Sequence, residues 1–166
     1  MPELVQPFAF LLGTWRGEGV GGYPTIAEDF RYGEEITFSC YGKPIIEFHS
    51  QSWKLGEQEG QPLARQAGFW RPVPNPETPD VPRLEVVQAV ASGSVQIFYG
   101  ALVNGPSGVH VEITSDLIGL TETAKQVNAD KRMYAVRGGK LMYAMEMAAV
   151  GQPLQAHLSA ALDPVT

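Results

Sequence analysis

Gly13-Thr14-Trp15-Arg16-Gly17-Glu18-Gly19 is the stretch that decides the fold, and Gly21-Gly22-Tyr23-Pro24-Thr25-Ile26 continues it. Alternate residues of a strand face opposite sides, so Trp15, Gly17 and Gly19 share one face and Thr14, Arg16 and Glu18 the other. One large ring followed by two missing side chains is unusual in a strand, because glycine packs nothing and loses entropy there. Such a face suits the inside of a curved sheet, where a small barrel closes or another backbone or a ligand must come close.

The rest of the chain agrees with many short strands. It has 166 residues with 18 Gly and 13 Pro, too much punctuation for long helices and enough length for one domain, residues 1–166, with a real core. Pro7 suits the first turn of a short helix from Pro7 to Leu12, which Gly13 ends. Ile36, Phe38 and Cys40 alternate with Glu35, Thr37 and Ser39 as a half-buried strand, and a run from Ile45 to Leu55 follows the Gly42-Lys43-Pro44 turn. The run from Ala64 to Arg71 ends at Pro72, before a proline-rich excursion to Pro82. Arg83 to Val90 and Ser94 to Val103 flank a hairpin signal, Val109, Val111 and Ile113 alternate with His110, Glu112 and Thr114, and Lys125 to Val136, Lys140 to Ala149 and Leu154 to Leu162 complete the series. The expected fold is all-β: an up-and-down antiparallel barrel of about ten strands with a short N-terminal helix.

Composition narrows the function. Lys+Arg 12 against Asp+Glu 18 gives a net charge of −6, which repels nucleic acid and anionic membrane surfaces. The single cysteine, Cys40, excludes an internal disulfide and suits a reducing compartment, and Glu3 before the apolar run Phe8 to Leu12 does not suit a secretory leader. The expectation is a cytoplasmic protein with no nucleic-acid or membrane partner; a homodimer stays open. Nucleophile-elbow, zinc, P-loop and dinucleotide signatures are absent. Of the three histidines, His110 lies on a polar strand face and reads as solvated, and His49 is undecided. His157 stands in a bland segment where alternation puts it beside the small residues Ser159 and Ala161, leaving room for something flat. Taken alone, such a histidine is more often a surface or satisfied core residue than a ligand. The clustered Met142, Met145 and Met147 read as core filling.

The string Leu11-Leu12-Gly13-Thr14-Trp15-Arg16-Gly17-Glu18-Gly19 with Tyr23-Pro24-Thr25-Ile26 resembles the nitrobindins, small ferric-haem β-barrels that act as peroxynitrite isomerases. The likeness continues through Phe30-Arg31-Tyr32-Gly33-Glu34-Glu35-Ile36, Gly42-Lys43-Pro44, Ser115-Asp116-Leu117 and Gln152-Pro153-Leu154-Gln155-Ala156-His157-Leu158. Gly13, Trp15, Gly17 and Gly19 are its signature; Gly-x-Trp alone also opens lipocalins and fatty-acid-binding proteins, whose barrels the fold resembles. The resemblance implies haem b with ferric iron, His157 as the proximal iron ligand and catalytic centre, and Thr25 and Lys125 as further haem contacts. It also implies isomerisation of peroxynitrite to nitrate and binding of nitric oxide. Some relatives carry a distal histidine shortly before a Gly-aromatic-Arg-Pro string. Here Leu63-Ala64-Arg65-Gln66 precedes Gly68-Phe69-Trp70-Arg71-Pro72, so Phe69 or Trp70 becomes the candidate for that wall. Two other readings stand beside this one. Arg132-Met133-Tyr134 resembles the carboxylate-holding pair of fatty-acid carriers, although further strands follow it here, and a haem-free interaction module would use the same scaffold.

Overall fold

The computed structural model describes residues 1–166. A 3-10 helix, Glu3–Leu11, leads into ten strands: β1 (Gly13–Gly21), β2 (Phe30–Cys40), β3 (Ile46–Lys54), β4 (Pro62–Val73), β5 (Arg83–Val90), β6 (Ser94–Gly105), β7 (Gly108–Leu120), β8 (Val127–Arg137), β9 (Lys140–Ala149) and β10 (Gln155–Pro164). Each strand pairs with its sequence neighbours, and β1 also pairs with β10, so the sheet is a closed barrel of the expected type. Closure pairs every strand on both sides, with its shortest ladder between β7 and β8. No helix is long and apolar enough to cross a membrane.

The glycines of β1 mark the seam. Gly17 sits opposite Glu34 on one side and Leu162 on the other, and Gly19 opposite Tyr32 and Ala160. Trp15 and Gly19 face inward while Arg16 and Glu18 are exposed, as the alternation requires. A Cβ on Gly19 would run into the Tyr32 ring and come within 2.7 Å of the Ser159 carbonyl oxygen. The missing side chain is therefore the space through which an aromatic ring of β2 lies across β1.

The N-terminal helix plugs one end. Val5, Phe8 and Leu11 are fully buried, and their spacing of three is the repeat of a 3-10 helix, which keeps all three on one face. That geometry lets the helix start at Glu3 with Pro7 inside it, rather than at Pro7. Trp15 Nε1 donates to the Leu11 carbonyl at 2.9 Å, tying plug to barrel. Beneath the plug, Phe38 and Trp70 meet edge to face at 5.0 Å, and Trp70 meets Tyr134 the same way at 5.1 Å.

Two strand limits and the facing of one residue differ from the sequence pattern. Pro72 lies inside β4, because the β3 ladder ends at Ile46 opposite Trp70 and Pro72 pairs only with Leu84 of β5; its missing N–H meets no partner strand. Strand β7 runs on to Leu120 because Asp116 is an extra residue opposite the Ile97–Phe98 step, a bulge that breaks the alternation after Thr114. On β9, Leu141, Tyr143 and Met145 point inward and Met142 is 44 % exposed, so Met142 is not core filling.

Candidate functional site

The end of the barrel away from the plug holds a cavity of about 860 Å³. Its walls bring together His157, Thr25 and Lys125, which are 132 and 32 residues apart from the first to the other two in the chain (157 − 25 and 157 − 125). Gly13, Trp15, Gly17 and Gly19 do not line it; their place is the seam and the plug.

His157 enters the cavity through a break in its own strand. The β10–β9 register shifts between Ala156 and Leu158, so His157 is the extra residue of a bulge. Strict alternation would leave it on the face of Ser159 and Ala161, and both of those are exposed on the outer wall. The bulge turns His157 inward beside Leu158 instead, and both line the cavity. The room next to the imidazole thus comes from the cavity and not from the two small residues.

The ring is held by the backbone at the end of β1. The Gly22 N–H donates to the His157 carbonyl at 2.9 Å, and His157 Nδ1 donates to the Gly22 carbonyl at 3.0 Å. Because a carbonyl only accepts, this bond places the proton of the neutral imidazole on Nδ1 and leaves the lone pair on Nε2. Tyr23 packs edge-on against the ring at 5.3 Å, and its hydroxyl accepts from Ala149 N–H and donates to the Met147 carbonyl, each at 2.9 Å.

Thr25 and Lys125 are exposed at the rim. Thr25 lies in a turn closed by Ile26 N–H to the Tyr23 carbonyl at 2.9 Å. Lys125 lies where β7 and β8 part: their ladder covers only Val111 to Thr114 against Lys131 to Tyr134. The loop that spans this gap is anchored by Thr121 N–H to the Gly93 carbonyl, 2.9 Å, and by Val150 N–H to the Gln126 carbonyl, 3.1 Å. Lys125 forms no ion pair, so its ammonium is free for a ligand carboxylate.

In the ring of ten strands β5 lies five places from β10 in either direction, so the wall around it faces His157. That wall presents Leu63, Ala64 and Gln66 of β4, Ser92, and Ser94 of β6. Phe69 points outward, 45 % exposed, and Trp70 is buried under the plug; neither lines the cavity. The strand phase decides this, since Gln66 and Gly68 share the inner face with Trp70 while Phe69 takes the outer one. His49 is exposed on the outer wall. His110 is not solvated: its side chain is 14 % exposed and Nε2 meets Glu112 Oε1 at 2.9 Å.

Deeper in the cavity lies a polar cluster that sequence reasoning missed. Ser50 Oγ donates to Glu34 Oε1 at 2.6 Å, the Tyr143 hydroxyl hydrogen-bonds Glu34 Oε2, and Tyr32 and Tyr143 join their hydroxyls at 2.5 Å. Burial lifts the Glu34 carboxyl above its ordinary range against the pull of Ser50, Tyr143 and Arg132, and it pushes the Tyr32, Tyr134 and Tyr143 phenols up. Arg132 meets Asp130 through two bonds of 2.9 and 2.7 Å and gives a third, 2.7 Å, to Gln66 Oε1. Burial alone would favour its neutral form, but Asp130 overcomes this and holds the guanidinium charged. The signal was in the sequence: carrying the Ile36 and Phe38 face back two and four residues puts Glu34 and Tyr32 on an apolar face, where a carboxyl must find partners.

Comparison with known proteins agrees with this site. The family model described as "THAP4-like, heme-binding beta-barrel domain" matches residues 4–163. A "Peroxynitrite isomerase 2" of Mycobacterium avium is 43 % identical over 161 residues, covering 97 % of this chain and 94 % of the relative. A "Peroxynitrite isomerase" of a Parafrankia species is 40 % identical over 174 residues, covering 97 % and 79 %. The crystal structure of Rv2717c from M. tuberculosis superimposes with a TM-score of 0.86 at 36 % identity, covering 100 % of this chain and 99 % of the other. The chain belongs to this haem-binding β-barrel family, the nitrobindins.

Proposed function

We propose that the cavity would hold ferric haem b with His157 Nε2 as the protein's ligand to iron, and that the loaded protein isomerises peroxynitrite to nitrate and binds nitric oxide. The observation that carries the reading is the His157 clamp: Nδ1 is committed to the Gly22 carbonyl, so Nε2 is the ring atom left for a metal. The cavity of about 860 Å³, with apolar side chains such as Phe30, Met145, Met147 and Leu158 beside the imidazole and a free cation at the rim, suits a flat apolar group bearing carboxylates. Held by His157, ferric haem would supply Lewis acidity towards an anion with a weak O–O bond.

The chain's own residues bind, orient and shelter. His157 fixes the iron side, Thr25 and Lys125 meet the rim, and the facing wall of Leu63, Ala64, Gln66 and Ser94 carries no acid or base that titrates near neutrality. Isomerisation needs no net proton, so a wall of this kind is sufficient. The fatty-acid carrier reading is disfavoured because both outer faces of the Arg132 guanidinium already serve Asp130 and Gln66, and two strands follow β8.

Titration with haemin should give a Soret band saturating at one haem per chain, and the ferric holoprotein should speed peroxynitrite loss in stopped flow and protect free tyrosine from nitration. His157→Ala should retain the fold and lose both properties, whereas His49→Ala and His110→Ala should keep them. Decay traces identical with and without bound haem would sink the isomerase reading.

A further inference from the structure

Four titratable side chains of the cavity wall, Tyr32, Glu34, Tyr134 and Tyr143, form one connected unit. Tyr143 is its centre. Its hydroxyl touches Glu34 Oε2 and the Tyr32 hydroxyl, and its ring stacks on Tyr134 with centroids 5.7 Å apart and planes 28° from parallel. Tyr134 in turn meets Trp70 at 5.1 Å. A phenol loses an electron readily only if its proton can leave at the same moment, because the oxidised phenol is a strong acid. The Glu34 carboxylate is in hydrogen-bond contact with that proton, and Ser50 fixes its other oxygen at 2.6 Å. Packing alone would be served as well by phenylalanine at position 143 and an apolar residue at 34, without burying a carboxyl.

We propose that Tyr143, with Glu34 as its proton acceptor, is a redox-active site that quenches one-electron oxidants of the nitrogen dioxide class arising in the cavity. This rests on the reading that peroxynitrite is handled there. Nitrogen dioxide takes one electron from Tyr143 and leaves as nitrite; the phenolic O–H breaks, its proton passes to Glu34 Oε2, and a neutral phenoxyl radical remains. A small reductant of the ascorbate class then returns one electron and Glu34 returns the proton, restoring both groups. If a second nitrogen dioxide arrives first, it couples to a ring carbon and the displaced ring hydrogen leaves as a proton, marking the site as 3-nitrotyrosine.

The mark gives the test, and burial gives the competing outcome. Tyr41 and Tyr99 are 55 % and 54 % exposed, while Tyr143 is 7 % exposed. The full chain without added haem is treated with nitrogen dioxide made by pulse radiolysis of nitrite solutions, and the nitrated residues are mapped by mass spectrometry. Nitration at Tyr143 above that at Tyr41 and Tyr99, suppressed by ascorbate, is the expected result. A map that follows exposure, with Tyr143 unmodified, overturns the proposal, and so does modification of Tyr32 or Tyr134 in place of Tyr143. Glu34→Gln keeps the side-chain volume and an acceptor for Ser50, but its amide takes no proton, so Tyr143 nitration and the tyrosyl signal in freeze-quenched electron paramagnetic resonance should both be lost. Their persistence would remove Glu34 from the site. Because no haem is needed, a negative map leaves the haem reading untouched, and failure of haemin to bind leaves this one testable.

Discussion

The two ends of the barrel are built from the same ten strands and do opposite work. At the plugged end, Val5, Phe8, Leu11, Phe38, Phe48 and Trp70 are sealed from water and carry one buried donor without a partner, Trp70 Nε1. At the open end, Glu34, Ser50, Asp130 and Arg132 are buried too, but Ser50 is bonded to Glu34 and Arg132 to Asp130. The difference teaches that closure frees the side chains. Of 105 backbone hydrogen bonds, 88 lie within strands and helices, so the backbone pairing makes no demand on which side chains fill the interior. One end can then be spent on apolar packing and the other on a polar cavity whose groups satisfy each other.

The largest effect should come from the plugged end. Trp70→Ala removes a fully buried ring that packs on Phe38, Phe48 and Tyr134, and chemical denaturation should show a loss of about 3–5 kcal/mol. His157→Ala at the open end should change stability by less than about 1 kcal/mol in the haem-free protein, since it loses one clamp bond at a half-exposed site. Equal losses from the two would break the division between the ends.

Glu34→Gln sharpens it further. Burial raises the Glu34 carboxyl, so the folded state binds this proton more tightly than the unfolded one. Its contribution is then fully present at pH below the ordinary carboxyl range and is lost as pH climbs through the raised folded value. Glutamine does not titrate. Denaturation followed against pH should therefore find the variant gaining on the wild type as pH rises, with the gap closing in acid. A gap that widens towards acid would mean that Glu34 is stabilised as a carboxylate by Ser50, Tyr143 and Arg132.

How much of this could be read beforehand follows the same boundary. Turn spacing together with alternation in several runs made about ten strands legible, and Arg83–Val90 and Lys140–Ala149 match their expected limits. The glycines of β1 pointed to barrel closure or a close approach, and the structure shows the seam, with the Tyr32 ring lying where a Gly19 side chain would be. The orientation of His157 was not legible from alternation, since one extra residue at a bulge reverses the face, and only the family resemblance marked it. The polar cluster was harder to read for another reason: alternation puts Glu34 on an apolar face, but its partner Tyr143 and the Gln66 partner of Arg132 lie on strands remote in sequence. Asp130 and Arg132 share one face of β8, whereas Gln66 meets Arg132 only because β4 and β8 face across the interior.

The turn that supports the rim should give a smaller effect of opposite sign. Val150 has φ of 44°, the one non-glycine residue with positive φ, and with Gly151 at 79° it forms the centre of a β-turn closed by Gln152 N–H to the Ala149 carbonyl at 2.9 Å. A β-branched residue is strained there, and asparagine tolerates the conformation. Val150→Asn should raise stability by about 0.5–1 kcal/mol and keep the backbone bond to Gln126. A thermal melt that falls would show that the Val150 side chain, which lines the cavity, contributes more than the strain costs.

Lys125 should give the smallest effect, and the reason is its position rather than its charge. It stands on the loop over the β7–β8 gap, exposed to water and to salt. A cation there gains little from a carboxylate, because solvent screens the pair and the long side chain must be ordered to make it. Lys125→Ala should weaken haem by about 0–1 kcal/mol, read as a shift in the haemin titration that disappears at high salt. The loop itself should hold its place, since its anchors are the backbone bonds to Gly93 and Val150. If the variant lost haem altogether, the open end would be organised around Lys125 as well as His157, and the rim would have to be counted part of the buried site.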